Sequence, residues 1–288
     1  MFLPHRILEE RLLEMLAEDL GQGDITTALT VPTQTLAEAE IIAKEQGIAA
    51  GIEEAQVLLA SLGLEFNSLV TDGENIRAKQ PLLHISGDAR TILSAERTLL
   101  NLLTRMSGIA TATHDLIKKL QSAKVKTRIA CTRKTAPGLL YFDKKAVLVG
   151  GGDTHRLHLD DMILIKDNHI AIAGNVEKAI EKAKMQASLT KKIEIEVTKV
   201  EDVLVAAEAG ADVILLDNLS PKQVKKAVEL LRKRKLCNKV LLEASGGITG
   251  ENVLDYASTG IDLVSLGEIT HSARALNMSL EIVKTKKM

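Results

Sequence analysis

The stretch DVILLDNLSPKQVKKAVELLRKRKLCNKVLLEA, residues 212–244, contains the pattern that decides the fold. Two short apolar runs, DVILLD and KVLLEA, flank the helical segment PKQVKKAVELLRKRK. Strands that alternate with helices predict parallel pairing with right-handed crossover connections. This unit therefore predicts a parallel α/β sheet.

The same alternation extends outward from this stretch in both directions. The strand-like runs VKTRIACT, MILIK and KIEIEV precede it, and DLVSLG follows it. Six such units predict an open, incomplete α/β barrel, because a full barrel of this kind has eight. A doubly wound open sheet is the structural alternative, although no G-x-G-x-x-G motif follows the first strand to indicate a dinucleotide fold.

The residues before this alternation predict a separate α+β arrangement. A helical stripe of apolar residues ends near Gly21, and four strand-like runs follow it: AEAEIIAK, GIAAG, LEFNSLV and PLLHIS. A helix is predicted over 53–62. A long helical pattern then covers 91–120, with a break expected at Ser107-Gly108.

Composition excludes several classes of function. The chain carries 37 basic and 38 acidic residues, so its net charge of -1 gives no overall attraction to nucleic acid or to a membrane. Tryptophan is absent and aromatics are scarce, which argues against base stacking. Cys131 and Cys237 form no CxxC pair, and we expect both to be reduced thiols in a soluble cytoplasmic protein. No stretch reads as a signal peptide or a membrane span.

Basic residues gather after the first two predicted strands, where barrel enzymes place their chemistry. They are Arg133, Lys134, His155, Arg156 and Lys166. Burying several cations together is costly unless an anion joins them, and arginine binds carboxylates and phosphates in a bidentate manner. We predict an anion site here, with a solvated basic rim as the alternative.

The later strand ends indicate a phosphorylated ligand. Ser245-Gly246-Gly247 and Gly267 follow the fifth and sixth strands, where barrels bind phosphate through backbone N–H groups. Simple turn glycines are the alternative. Glu196 and Asp217 close the third and fourth strands, and such carboxylates accept ribose hydroxyl bonds or help to hold Mg²⁺. A structural ion pair is the alternative for them. Glu194 shares the strand face of Glu196, so we expect one of the two to serve as support.

Eight motifs, in the same order along the chain, resemble the quinolinate phosphoribosyltransferase family, also called nicotinate-nucleotide pyrophosphorylase (carboxylating). No single motif is specific for this family. The succession of TRKT, GGG-x-x-HR, LIKDNH and EASGG in one chain is specific for it. The matching stretches are GDITT (23–27), AERTLLNLLTRMSGIAT (95–111), TRKTAPGL (132–139), AVLVGGGDTHR (146–156), ILIKDNHI (163–170), LLDNLSP (215–221), LEASGGI (242–248) and SLGEITHS (265–272).

The resemblance implies a fold, a reaction and an assembly. It implies an N-terminal α/β sandwich domain of residues 1–110 plus 272–288, and an α/β barrel phosphoribosyltransferase domain of residues 111–271. The reaction would join quinolinate to phosphoribosyl pyrophosphate, with Mg²⁺ as cofactor. Nicotinate mononucleotide, pyrophosphate and CO₂ would be the products, in de novo NAD biosynthesis. The assembly would be a homodimer with shared active sites, with a hexamer as the alternative.

The resemblance also implies roles for individual residues. Arg133, His155 and Arg156 would bind the quinolinate carboxylates, and Arg97 would reach in from a second subunit. The catalytic groups would be Lys134 and Lys166, facing the carboxylates or the pyrophosphate, and Glu196 and Asp217, holding the ribose hydroxyls directly or through Mg²⁺. The remaining substrate-binding residues would be Thr132 and the 5′-phosphate cradle of Ser245, Gly246, Gly247, Ser265, Leu266 and Gly267.

Four positions depart from the family pattern, and one of them is Glu268, which replaces a common small residue. Thr154 stands where asparagine is usual, His158 where glycine is usual, and Leu140 where arginine is usual.

Three rival functions are a molybdenum-transport-associated homologue, another phosphate-binding barrel enzyme, and a sensor that binds a phosphorylated ligand without turnover. The intact TRKT and LIKDNH motifs favour the phosphoribosyltransferase.

Overall fold

In the computed structural model, which describes residues 3–287, helices and short strands are mixed over the first 122 residues. These elements are α1 (His5–Leu20), α2 (Ile25–Thr30), β1 (Thr35–Ala43), β2 (Gly47–Ile48), α3 (Ile52–Ser61), β3 (Glu65–Ser68), β4 (Asn75–Ile76), β5 (Pro81–Asp88) and α4 (Ala89–Ser122).

Strands and helices alternate regularly in the rest of the chain. The elements are β6 (Arg128–Cys131), α5 (Leu140–Val149), β7 (Ile163–Ile165), α6 (Asp167–Ala173), α7 (Val176–Gln186), β8 (Ile193–Val197), α8 (Val200–Ala209), β9 (Val213–Asp217), α9 (Pro221–Lys233), β10 (Leu241–Ser245), α10 (Val253–Ala257), β11 (Leu263–Leu266), α11 (Glu268–His271) and β12 (Met278–Lys287).

The contacts divide the chain into two compact units. The first takes the residues up to His114, Tyr141–Gly151 and the residues from Ala273 onward. The second takes Asp115–Leu140 and Gly152–Ser272. The domain boundaries given above, 1–110 plus 272–288 and 111–271, stay a prediction.

The first unit is built on an antiparallel sheet in the strand order β12-β1-β5-β3. Every second residue of β1 is buried, so Ala37, Ala39 and Ile41 point into the core while the glutamates between them do not. Strand β12 pairs with β1 from Ala43↔Met278 to Thr35↔Lys287. The C-terminal segment is therefore part of this sheet.

The second unit is an open parallel barrel, as the alternation predicts. The strand order is β6-β11-β10-β9-β8-β7, and all six predicted strands are present. The order runs in one direction from β7 to β11, and β6 joins at the far side of β11, so the doubly wound alternative is wrong. Strands β6 and β7 remain the two edges, and the carboxyl ends of all six strands meet at one rim.

Local signals set where several helices of this unit begin and end. Ser220 caps α9 in a reciprocal capping box with Gln223, and Pro221 occupies the first turn. Asn175 caps α7 through the N–H of Lys178, and Gly210 ends α8 with a φ of 88°. Three residues separate β9 from α9, and three separate α8 from β9.

Helix α4 is continuous through Ser107-Gly108, so the predicted break is wrong. The Ser107 hydroxyl is buried and bonds both the N–H and the carbonyl of Ala50, instead of competing for the helix backbone. A Cβ at residue 108 would lie 2.1 Å from the carbonyl oxygen of Arg274. Gly108 therefore marks a close approach of two backbone segments rather than the end of a helix.

A buried ionic cluster in the first unit joins α5 to α3. The Lys145 ammonium bonds Glu53 and lies 2.6 Å from Glu54 Oε1, and Asp72 is 3.8 Å away. The Lys145 and Glu54 side chains are 7% and 0% exposed. Removing one member of such a pair leaves an uncompensated buried charge, which is more costly than losing the pair's own attraction.

We predict that Lys145→Met lowers the free energy of unfolding by about 3–5 kcal/mol, because Glu54 then stays buried without its cation. The matched control is Glu53→Gln. Glu53 contacts the same ammonium but is 62% exposed, and its loss should cost less than about 1 kcal/mol. Urea denaturation followed by circular dichroism measures both. Equal stability of the Lys145 variant and the parent would contradict the prediction.

Candidate active site

A cavity of about 420 Å³ lies at the carboxyl rim of the barrel. Every strand of the barrel contributes to it through its last residues or the loop that follows. Most residues predicted for the site line it: Thr132, Arg133, Lys134, His155, Arg156, Lys166, Glu196, Asp217, Ser245, Gly246, Gly247 and Ser265. The separate sequence motifs therefore meet in one place.

Three predicted residues lie elsewhere. Leu266 is buried beside Ser265, with 1% exposure. Gly267 sits against the side chain of Lys134, since a Cβ there would be 3.1 Å from Lys134 Cδ. Arg97 is exposed on α4 in the first unit, and its side chain has no hydrogen bond or ion pair within residues 3–287.

Positive charge dominates the side of the cavity formed after β6 and around Arg156. Arg156 is 9% exposed, and burial together with the neighbouring charge of Arg133 lowers its pKa. The Thr132 hydroxyl accepts the N–H of Lys134 at 3.1 Å and so orders the turn that carries both basic residues. Two guanidinium groups close enough to repel each other form a site that favours an anion.

Carboxylates line a further part of the cavity. Glu196 and Asp217 end the adjacent strands β8 and β9, and the Lys166 ammonium pairs with Glu196. Asn218, which the sequence analysis missed, also lines the cavity, and its amide nitrogen donates to Asp217 Oδ2 at 2.8 Å. Its φ of 53° is tolerated by asparagine, and the asparagine in LLDN was the available signal.

The loop Ser245-Gly246-Gly247 has the form of an anion cradle. Asp217 and Ser245 are register partners, and the Asn218 N–H donates to the Ser245 carbonyl at 2.9 Å. Gly246 has a φ of 93°, and a Cβ there would lie 2.4 Å from Asn218 Oδ1. The hydroxyl of Ser265, which is 3% exposed, has no hydrogen-bond partner in the described part of the chain. A buried hydroxyl without a partner at a cavity wall indicates that a bound ligand supplies the partner.

His155 lines the cavity and is held by two buried glutamates. Its Nε2 lies 3.1 Å from Glu243 Oε2 and 3.3 Å from Glu194 Oε2, and these glutamates are 1% and 0% exposed. Burial would lower the pKa of His155, but the hydrogen bonds to the carboxylates outweigh it and raise that pKa. Burial also raises the pKa of Glu194. Because Nδ1 of His155 accepts the Arg156 N–H, the extra proton that this cluster holds at neutral pH is shared between Nε2 and the two carboxylates.

Glu194 and Glu196 occupy different depths on the same face of β8. Glu196 lines the cavity, whereas Glu194 lies beneath it beside His155. The sequence analysis did not assign Glu243 to the site. Its position two residues before Ser245, and so on the same strand face, was the signal that could have found it.

None of the four departures from the family pattern lines the cavity in the described part of the chain. These positions are Leu140, Thr154, His158 and Glu268. The Thr154 hydroxyl bonds the carbonyl of His155, and His158 is exposed.

Comparison with known proteins gives a consistent result. The family model described as quinolinate phosphoribosyl transferase, C-terminal domain, matches residues 109–281, and its N-terminal counterpart matches residues 24–107. A probable nicotinate-nucleotide pyrophosphorylase (carboxylating) from Methanothermobacter thermautotrophicus is 45% identical over 269 residues, which cover 93% of this chain and 96% of that protein.

Two further relatives extend the comparison. The nicotinate-nucleotide pyrophosphorylase (carboxylating) of Mycobacterium leprae is 41% identical over 273 residues, which cover 93% of this chain and 94% of that protein. The solved structure of the nicotinate-nucleotide pyrophosphorylase from Francisella tularensis superposes with a TM-score of 0.88 at 37% identity, covering 98% of both chains. Among the described residues, no helix has the length and apolar character needed to cross a membrane.

We predict that Gly246→Ala weakens binding of inorganic phosphate by at least about tenfold, because the new Cβ would displace Asn218 and reshape the cradle. The control is Gly247→Ala. Gly247 also has a positive φ, but no atom lies within 4 Å of its Cβ position. That variant should suffer only backbone strain, about 1 kcal/mol. Titration calorimetry with phosphate measures both. Unchanged affinity in Gly246→Ala would refute the cradle.

Proposed function

The chain belongs to the quinolinate phosphoribosyltransferase family, and from this membership we propose that the cavity at the barrel rim is the active site of a carboxylating nicotinate-nucleotide pyrophosphorylase. The enzyme transfers the phosphoribosyl group of phosphoribosyl pyrophosphate to quinolinate. Nicotinate mononucleotide, pyrophosphate and CO₂ are the products, in de novo NAD biosynthesis. One observation carries the assignment of the site: a single cavity joins a wall of basic residues, a pair of carboxylates and a glycine cradle.

The basic wall suits quinolinate because that substrate carries two neighbouring carboxylates. Arg133 and Arg156 can each bind a carboxylate through two parallel N–H bonds. Lys134 adds a mobile ammonium at the same wall. A substrate with two negative charges relieves the repulsion between the guanidinium groups, whereas a monocarboxylate relieves only part of it.

The glycine cradle and the carboxylates suit phosphoribosyl pyrophosphate. Backbone N–H groups of Ser245-Gly246-Gly247 and the unpartnered hydroxyl of Ser265 would bind its 5′-phosphate. Glu196 and Asp217 would accept the ribose hydroxyls. Lys134 and Lys166 would then face the pyrophosphate.

The reaction follows from this placement of charges. The bond from ribose C1 to pyrophosphate breaks while the pyridine nitrogen bonds to C1, and positive charge develops on the ribose. Glu196 and Asp217 stabilise that charge, and the lysines stabilise the departing pyrophosphate. The alkylated ring is then cationic and accepts the electron pair released when CO₂ leaves, after which that carbon takes a proton. Positioning supplies much of the rate, since no protein nucleophile is required.

Glu196 and Asp217 also fit Mg²⁺. Both are carboxylates, which are the hard oxygen ligands that Mg²⁺ prefers, and both line the same cavity. They would hold the ion directly or through water, with phosphate oxygens completing its shell. When bound, Mg²⁺ would neutralise charge on the pyrophosphate.

The proposed assembly is a homodimer in the cytoplasm, with a hexamer as its larger alternative. Arg97 is a cation on helix α4, which has many buried residues. Its own side chain is exposed and makes no hydrogen bond or ion pair within residues 3–287. An anionic ligand in the barrel of a second subunit would give this guanidinium a partner.

We predict turnover with quinolinate, phosphoribosyl pyrophosphate and Mg²⁺, and at least about a hundredfold lower kcat/KM with nicotinate, because one carboxylate leaves part of the basic wall uncompensated. Chromatography of the nucleotide product together with CO₂ release measures the reaction. Omitting each substrate in turn is the control. Equal use of nicotinate would refute the assignment of the basic wall.

We predict that mixing Arg97→Ala with Lys166→Ala restores part of the activity that each variant lacks alone. In a mixed dimer one site carries both substitutions and the other carries neither. Native mass spectrometry checks that subunits have exchanged, and the unmixed variants are the controls. If heterodimers form and no activity returns, Arg97 does not act across an interface.

A further inference from the structure

Both ring nitrogens of His155 are engaged inside the protein. Nδ1 accepts the backbone N–H of Arg156 at 2.8 Å, and Nε2 faces Glu243 and Glu194. The backbone around the ring is held as well, because the His155 N–H donates to Asp153 Oδ1 at 2.8 Å and its φ is 51°. The ring cannot donate to a substrate carboxylate without giving up one of these bonds.

The same three side chains have the ligand types of a metal site. The ligand atoms of His155, Glu194 and Glu243 all lie within 4.8 Å of one another. A metal at Nε2 would require the ring proton on Nδ1, where it would point at the Arg156 N–H 2.8 Å away. The Arg156 amide therefore excludes the metal and assigns the ring proton to Nε2, from which it is donated to the carboxylates.

A second cavity is lined in part by the residues of this hydrogen-bond network. It has a volume of about 400 Å³ and is lined by the amino-terminal residues of several barrel strands, among them Arg128, Val213 and Leu241. His155, Arg156 and Glu243 line this cavity and the rim cavity alike. These three residues therefore lie between two cavities, and the hydrogen bonds of His155 help to hold them there.

We propose that Glu243 is a positioning residue for quinolinate binding, holding the ring of His155 so that His155 fixes Arg156 in the wall of the rim cavity. This inference rests on the proposed function. Glu243 touches His155 and not the substrate, and His155 acts through the N–H of Arg156. Two hydrogen bonds connect these residues. One joins His155 Nε2 to Glu243 Oε2, and in the other the backbone N–H of Arg156 donates to His155 Nδ1.

The test compares KM for the two substrates in Glu243→Ala and Glu243→Gln. Glu243→Ala should raise KM for quinolinate at least about tenfold and leave KM for phosphoribosyl pyrophosphate within about twofold. Glu243→Gln keeps a carbonyl oxygen that accepts the Nε2 proton, so it should restore quinolinate KM to within about threefold of the parent. Circular dichroism confirms that each variant is folded.

A double variant adds a second readout. Because Glu243 acts through His155, Glu243→Ala should add nothing to the loss caused by His155→Ala. Unchanged quinolinate KM in folded Glu243→Ala, an equal rise in both KM values, or a Gln variant as impaired as the Ala variant would each overturn the proposal.

His155→Asn keeps the inference testable if Glu243→Ala does not fold. Asparagine tolerates the positive φ, and its oxygen can accept the Arg156 N–H in place of Nδ1. Positioning predicts that His155→Asn binds quinolinate at least about fivefold more tightly than His155→Ala. Equal loss in both variants would mean that the ring itself binds the substrate and would overturn the proposal.

Failure of the proposed function has a separate signature. If the unmodified protein turns over no quinolinate, calorimetric titration measures how tightly the same variants bind phthalate, a benzene dicarboxylate. Phthalate binding that weakens in Glu243→Ala and recovers in Glu243→Gln would support the positioning alone. No phthalate binding by the unmodified protein would overturn both.

Discussion

The burial of the Arg156 guanidinium, close to the charge of Arg133, is the constraint on which the rest of the site depends. Two guanidinium groups share a wall with Lys134, and burial and repulsion together lower the pKa of Arg156. A protein keeps such a wall folded only if other groups supply negative charge nearby. Here the barrel strands place Glu196 and Glu243 in the lining of the same cavity, and we propose that the two carboxylates of quinolinate supply the remaining negative charge.

The two-residue period of a β-strand lets one strand provide that charge at two depths. Glu194 and Glu196 face the same side of β8, but the first lies beside His155 and the second pairs with Lys166 at the cavity. The deeper carboxylate is inaccessible and supports the wall. The shallower one is balanced by a single lysine and is free to exchange that partner for a ligand.

Sequence reasoning predicted the barrel well because its evidence is local. Each strand is a short apolar run, each ends on a polar or glycine residue, and parallel strands must bring those ends to one rim. It failed where the deciding contact is distant in sequence. The unbroken α4 depends on Ala50 and Arg274 beside Ser107-Gly108, and no pattern within the helix shows them. Glu243 was missed for a similar reason, since a glutamate within an apolar strand gains its meaning only from His155, 88 positions away.

The two substrate regions of the cavity have separate supports. Asn218 joins one of them, because its side chain bonds Asp217, its backbone bonds Ser245, and its bulk requires glycine at 246. His155 joins the other, through Glu243 on one side and the Arg156 amide on the other. No hydrogen bond in the described part of the chain links Asn218 directly to His155. The basic wall and the glycine cradle therefore rest on different sets of hydrogen bonds within one cavity.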